Sequence, residues 1–195
     1  MILRMNPEEL SPVYVALIHH PVYNKNRQVV RTCLTPLDLH DISRACRTYG
    51  IRAFYFINPM RSQRELAQMI FDHWSTGWGA RYNPNRKEAI SLIRIAPDLE
   101  GVSRAIEQEW GRPPKTVATS AQIARPDLDY AEMRFRIREG QDAFLLLFGT
   151  GWGLLEEDIE GADYRLLPIH GQGDFNHLSV RSAVSIILDR ILCGH

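Results

Sequence analysis

Two glycine-rich stretches carry the residue types best suited to holding a ligand. In AFLLLFGTGWGL, residues 143–154, five apolar residues from Phe144 to Phe148 run straight into Gly149, Thr150, Gly151, Trp152 and Gly153. That pattern predicts a fully buried strand that ends in a loop. Three glycines in five positions carry a cost in conformational entropy, so the loop needs left-handed dihedrals or a close backbone approach. A second loop, IHGQGDF at residues 169–175, follows the next predicted strand and opens onto the last helix. Together the two loops are expected to hold a small cofactor. A plainer account is also open: the glycines make only tight turns, and Asn176 and Ser179 only cap the helix.

Other candidate groups are more scattered. His19 and His20 fall at the end of a predicted strand, where α/β proteins often place catalytic groups, although such a pair also serves structurally. The polar stretch Tyr23 to Arg27, with Asn24 and Lys25 inside it, is suited to phosphate contacts or is simply a solvated loop. Cys33, Cys46 and Cys193 are odd in number and have no C-x-x-C spacing, which argues for free thiols over a disulfide framework or zinc site. No spacing supports a metal site, and no Ser-His-Asp set can be assembled. Trp74, Trp78 and Trp110 read most simply as core or surface-turn aromatics.

Composition bounds the rest. With 195 residues and 45% hydrophobic content, the chain is expected to form one domain with a substantial core. No apolar run approaches the ~18 residues of a membrane span, and the first residues lack the apolar stretch of a signal peptide, so a cytoplasmic location is expected. The formal net charge of zero gives no global field toward nucleic acid. Twenty of the 23 basic residues are arginine. Arginine suits bidentate phosphate contacts and base stacking, and equally the salt bridges of a compact fold.

The elements that must position these groups alternate. Strands are predicted at 13–19, 51–57, 90–95, 116–119, 143–148 and 164–169. Helices are predicted from a Thr35-Pro36 start to Gly50, over 62–74 with Leu66, Met69, Ile70 and Phe71 inward, over 98–110, from Asp129, over 156–160, and over 178–192. Residues 80–88 read as a loop. The alternation predicts an α/β layer structure with a mostly parallel sheet flanked by helices.

Three stretches, taken in order, resemble the motifs of the SPOUT class of RNA methyltransferases. Residues 38–51 (DLHDISRACRTYGI) resemble its first motif, N-I-G-x-x-x-R-T-x-x-x-x-G. FGTGWGL at 148–154 is similar to the second, F-G-x-E-x-x-G-L. Leu167-Pro168-Ile169 with residues 176–180 (NHLSV) resembles the third. Asp38 stands for Asn and His40 for Gly, the second motif is one residue short and lacks its Glu, and His177 is extra. Roughly residues 12–193 also resemble one bacterial SPOUT family described only as S-adenosylmethionine (SAM)-dependent RNA methyltransferases.

The resemblance implies a single SPOUT-like domain over 1–195 with a C-terminal trefoil knot near 143–193, the helix 178–192 passing through a loop. Topology rules alone predict no knot. It further implies SAM held by Phe148, Gly149, Thr150, Gly151, Trp152 and Gly153 on one side and Leu167, Ile169, Gly173, Asn176, Leu178 and Ser179 on the other. It implies Arg44 as the catalytic residue, a tRNA or rRNA substrate, and a homodimer with sites at the subunit interface; His19 at its strand end and Asn24, Lys25 and Arg27 in the polar loop are the expected contacts to that substrate. The missing Glu and zero net charge keep a second reading in view, a non-catalytic SAM- or nucleotide-binding regulatory module.

Overall fold

The computed structural model describes residues 10–173 and 175–193. Its centre is β1 (Val13–Ile18), which is buried along its whole length because strands pair with it on both edges and helices cover both faces. A two-stranded antiparallel hairpin follows, β2 (Val22–Tyr23) and β3 (Val29–Val30), where the sequence predicts a loop. The Asn24 side chain closes its turn by accepting from the Asn26 and Gln28 amides at 2.9 and 3.0 Å. Arg27 takes a left-handed φ of 60° in that turn.

Helix α1 (Pro36–Thr48) starts where Thr35-Pro36 places it. Thr35 is the N-cap and accepts from the Asp38 amide at 3.4 Å, and Gly50, just past the last turn, has the left-handed φ of 71° that a helix stop favours. The chain continues through β4 (Ala53–Ile57), α2 (Arg61–Ser75), α3 (Trp78–Tyr82), α4 (Pro84–Ile90), β5 (Ile93–Ala96), α5 (Leu99–Trp110) and β6 (Lys115–Ala118). It ends with α6 (Tyr130–Glu139), β7 (Phe144–Gly149), α7 (Glu156–Glu160), β8 (Tyr164–Arg165), α8 (Val180–Leu188) and a π-helical turn at Asp189–Cys193.

All six sheet strands are parallel in the order β5-β4-β1-β7-β6-β8. Alternate side chains of β1, β4 and β7 feed two cores. Val15, Leu17, Phe54, Phe56, Leu146 and Phe148 face the layer holding α1 and α8, and Tyr14, Ala16, Tyr55, Leu145 and Leu147 face that holding α5. Both faces being covered is why these strands read as unbroken apolar runs.

Three local expectations are corrected. In α2 Ile70 and Phe71 pack inward as expected, with Trp74 and the fully buried Ala67, but Leu66 and Met69, the latter 69% exposed, are left to solvent by the phase of the helix. Residues 80–88 are mostly helical, since Asn83 caps α4 by accepting from the Arg86 amide. The strand expected over 164–169 is only two residues long, extended by one isolated bridge between Leu128 and Leu166.

From β1 the chain builds outward through β4 to β5, then crosses to lay down β6, β7 and β8 on the other side. The β1–β7 junction is therefore the place where the winding reverses. In open parallel sheets ligand crevices lie at the carboxyl ends of the strands at such a junction.

Candidate functional site: a cleft at the carboxyl edge of the sheet

A cavity of about 910 Å³ opens at that junction, within the range of small-molecule sites. Its walls come from the loop after β7 and from the segment between β8 and α8. Phe148, Gly149, Thr150, Gly151, Trp152, Gly153, Leu167, Ile169, Asn176, Leu178 and Ser179 all line it. Of the cofactor residues read from the sequence, Gly173 does not line it, and Asp174 lies outside the described residues.

The first loop is bolted in place by its own backbone. The Thr150 amide donates to the Ile18 carbonyl at 3.1 Å, the Trp152 amide to the Tyr23 carbonyl at 2.8 Å, and the Tyr23 amide to the Gly153 carbonyl at 3.0 Å. The cleft loop and the hairpin therefore form one unit. Two of its glycines are obligatory. A Cβ on Gly149 would stand 2.5 Å from the Leu154 nitrogen, and one on Gly151, already at φ 60°, 2.8 Å from the Tyr23 carbonyl oxygen. Below the loop the Thr150 and Thr32 hydroxyl oxygens are 2.5 Å apart, and Thr150 donates onward to the Ile18 carbonyl at 3.1 Å.

The second wall is different. The amides of the lining residues Ile169, Asn176, His177 and Leu178 have no acceptor among the described residues. Beside them Leu166, Leu167, Ile169, Val180 and Ile187 offer apolar surface. Apolar planes next to uncommitted backbone donors suit a flat heteroaromatic ligand with edge acceptors, such as an adenine. The residues present thus fit an adenosyl cofactor, with reading groups on the 166–179 side and the glycine loop supplying shape.

Sequence reasoning noted Asp38 in the capped helix start after Thr35 and as a motif departure, but gave it no place in the cleft and missed Arg181. Asp38 is 8% exposed, lines the cleft, accepts the Thr35 hydroxyl at 2.6 Å and pairs with the Arg181 guanidinium at 3.7 Å. Arg181, in the first turn of α8, also reaches Asp41 at 3.3 Å. The bridge ties α1 to α8 at the cleft edge. A carboxylate in a helix's first turn, three residues after Thr, is the local signal that could have found it.

The residues expected to meet substrate are not brought together. His19 is corrected outright: it is 0% exposed, packed edge-on against Phe56 at 4.8 Å, and neither ring nitrogen has a hydrogen-bond partner among the described residues. Burial pushes its pKa down to about 4, so the ring is neutral and unreachable by a nucleotide. Arg44 is exposed on the outer face of α1, which carries Leu37, Asp41 and Thr48, and it does not line the cleft. Asn24 and Lys25 are exposed in the hairpin turn. Arg27 lies over the Tyr23 ring at 4.5 Å, donates to Gln122 at 2.8 Å and pairs with Glu156 at 3.3 Å, beside a second pocket of about 350 Å³.

Among the described residues no group of three His, Cys, Asp or Glu is placed to hold a metal ion, and no helix is long and apolar enough to cross a membrane. The three cysteines are free, Cys46 buried and Cys33 and Cys193 exposed.

Comparison with solved structures defines the class first. The chain superposes on the SpoU methyltransferase AviRb of Streptomyces viridochromogenes, solved in complex with AdoMet, with a TM-score of 0.57 over 95% of this chain and 60% of that chain; at 17% identity the likeness establishes the fold. This is the SPOUT α/β fold. The chain belongs to a family of SAM-dependent RNA methyltransferases, whose family model matches residues 12–193. An uncharacterised protein of Aquifex aeolicus (strain VF5) is 40% identical over 179 residues, 92% of this chain and 87% of that protein. A tRNA (guanine-N(1)-)-methyltransferase of Nitratidesulfovibrio vulgaris is 41% identical over 180 residues. The match covers 92% of this chain and only 42% of that relative.

Proposed function

We propose that this SAM-dependent RNA methyltransferase acts on tRNA in the cytoplasm, as one domain over residues 1–195, with SAM in the cleft between residues 148–153 and 167–179. The observation that carries the reading is the convergence of those two segments on one cavity at the β1–β7 junction. The tRNA assignment is supported by the relative named for tRNA methylation. Because this chain corresponds to less than half of that relative, guanine N1 as the acceptor atom is not carried over.

Bound SAM supplies an activated methyl group on a sulfonium, whose transfer needs an acceptor in line at near-attack distance. The chain's part is to hold the donor rigidly, which the backbone lock between Tyr23 and the glycine loop serves, and to admit the acceptor at the mouth. The hairpin residues Asn24, Lys25 and Arg27 contact RNA phosphates beside the target nucleotide. We further infer that residues 143–193 are threaded as a trefoil knot.

Arg44 acts in a homodimer. Within one chain it is exposed outside the cleft lining, on the same helix face as Leu37, which is 56% exposed. A second copy packed against that face covers Leu37 and brings Arg44 to the partner's cleft. The test is transfer of labelled methyl from SAM to unmodified total RNA, with the oligomeric state measured in parallel. Transfer is expected from a dimeric wild type and lost in Arg44→Ala with SAM affinity retained. Full activity of Arg44→Ala, or of a monomeric wild type, removes Arg44 and the dimer from the mechanism.

A further inference from the structure

Three aromatic side chains from the two cleft loops meet at the cleft's mouth. Trp152, 51% exposed, comes from the loop after β7, and Phe175, 79% exposed, and His177 come from the segment before α8. The His177 ring stands edge-on to both, 5.9 Å from the Trp152 centroid and 5.3 Å from that of Phe175. Trp152 and His177 also line the cavity itself. Large aromatic rings left in water together mark a surface that a ligand covers.

The occupant follows from the reaction. The acceptor must reach the methyl group from the cleft's open side, and it belongs to RNA. A nucleobase presents π faces of the same size as the Trp152 indole. The indole is held by a loop whose backbone is fixed: its own amide is bonded to Tyr23, and Gly151 before it has no room for a side chain. A rigid aromatic is the usual platform for an unstacked RNA base.

We propose that Trp152, steadied by His177 and Phe175, is the stacking platform for the acceptor nucleotide, so that the ring serves the RNA and only the backbone of residue 152 serves the cofactor loop. This rests on the assignment of the cleft to SAM, and the experiment separates the two. SAM affinity by calorimetry, the KM for unmodified RNA, and quenching of tryptophan fluorescence by RNA are measured for wild type, Trp152→Phe and Trp152→Ala. The expected result is an RNA KM raised roughly tenfold in Trp152→Ala, with SAM affinity within about twofold, most activity kept in Trp152→Phe, and RNA-induced quenching lost in both variants. An unchanged RNA KM, a large loss of SAM affinity in Trp152→Ala, or a change in its oligomeric state would overturn the platform and assign the ring elsewhere. Failure of the wild type to bind SAM would instead overturn the cleft assignment.

Discussion

Tyr23 and Trp152 are joined like adjacent strands, the Trp152 amide donating to the Tyr23 carbonyl while the Tyr23 amide donates to the Gly153 carbonyl, at 2.8 and 3.0 Å. A hairpin of four paired residues thus becomes one unit with the cleft loop, and a Cβ on Gly151 would stand 2.8 Å from the Tyr23 carbonyl oxygen. Gly151→Ala combines a left-handed φ with a contact to backbone that cannot step aside. It is expected to cost about 1–3 kcal/mol in urea unfolding and to weaken SAM binding. Gly173→Ala, which a Cβ would leave in open space, is expected to do neither.

The threonine pair under the loop behaves as a chain with one proton per hydroxyl. Thr150 donates to the Ile18 carbonyl, so Thr32 donates to Thr150. Thr150→Val removes both bonds, although Thr32 can turn to the His19 carbonyl at 3.3 Å, and it should cost about 1 kcal/mol. Thr32→Val leaves the Thr150 donation intact and should cost less. A double-mutant cycle by urea denaturation is expected to show non-additivity, because each change removes the other's partner.

His19 gives stability a defined pH dependence. Its pKa is about 4 in the folded protein against 6.5 when unfolded, chiefly through burial, with the nearby Asp38 carboxylate pulling weakly the other way. Below pH 6.5 the unfolded chain binds the extra proton, so the contribution is complete above pH 6.5 and is lost as pH falls toward 4. At pH 5 the loss is about 2 kcal/mol. His40, also pushed down by burial and by Arg86, acts in the same direction. Urea unfolding at pH 7 and pH 5 should show a smaller drop for His19→Phe, whose ring suits the contact with Phe56, than for wild type. Equal drops would mean that His19 is protonated in the fold.

The sheet and both cleft loops were legible because their signals are local. Phe144 to Phe148 is apolar on both faces, the glycines follow at once, and Thr35-Pro36 and Asp98 each mark a helix start with its cap. What escaped depends on partners distant in sequence. The β2–β3 hairpin has two-residue strands and exists because the glycine loop bonds to it. Asp38 acquires its role from Arg181, 143 residues away in the chain. His19 resembles a strand-end catalytic group until its ring is buried against Phe56, and Arg44 is exposed because helix phase sets its direction, which a motif alone does not reveal.

We propose above all that SAM occupies the cleft between the FGTGWGL loop and the segment before α8. A crystal structure of the protein with SAM tests it most directly. Cofactor density is expected between residues 148–153 and 167–179, with the Ile169, Asn176, His177 and Leu178 amides turned toward it. Density in the pocket beside Arg27 and Arg165, or none at saturating SAM, would contradict it.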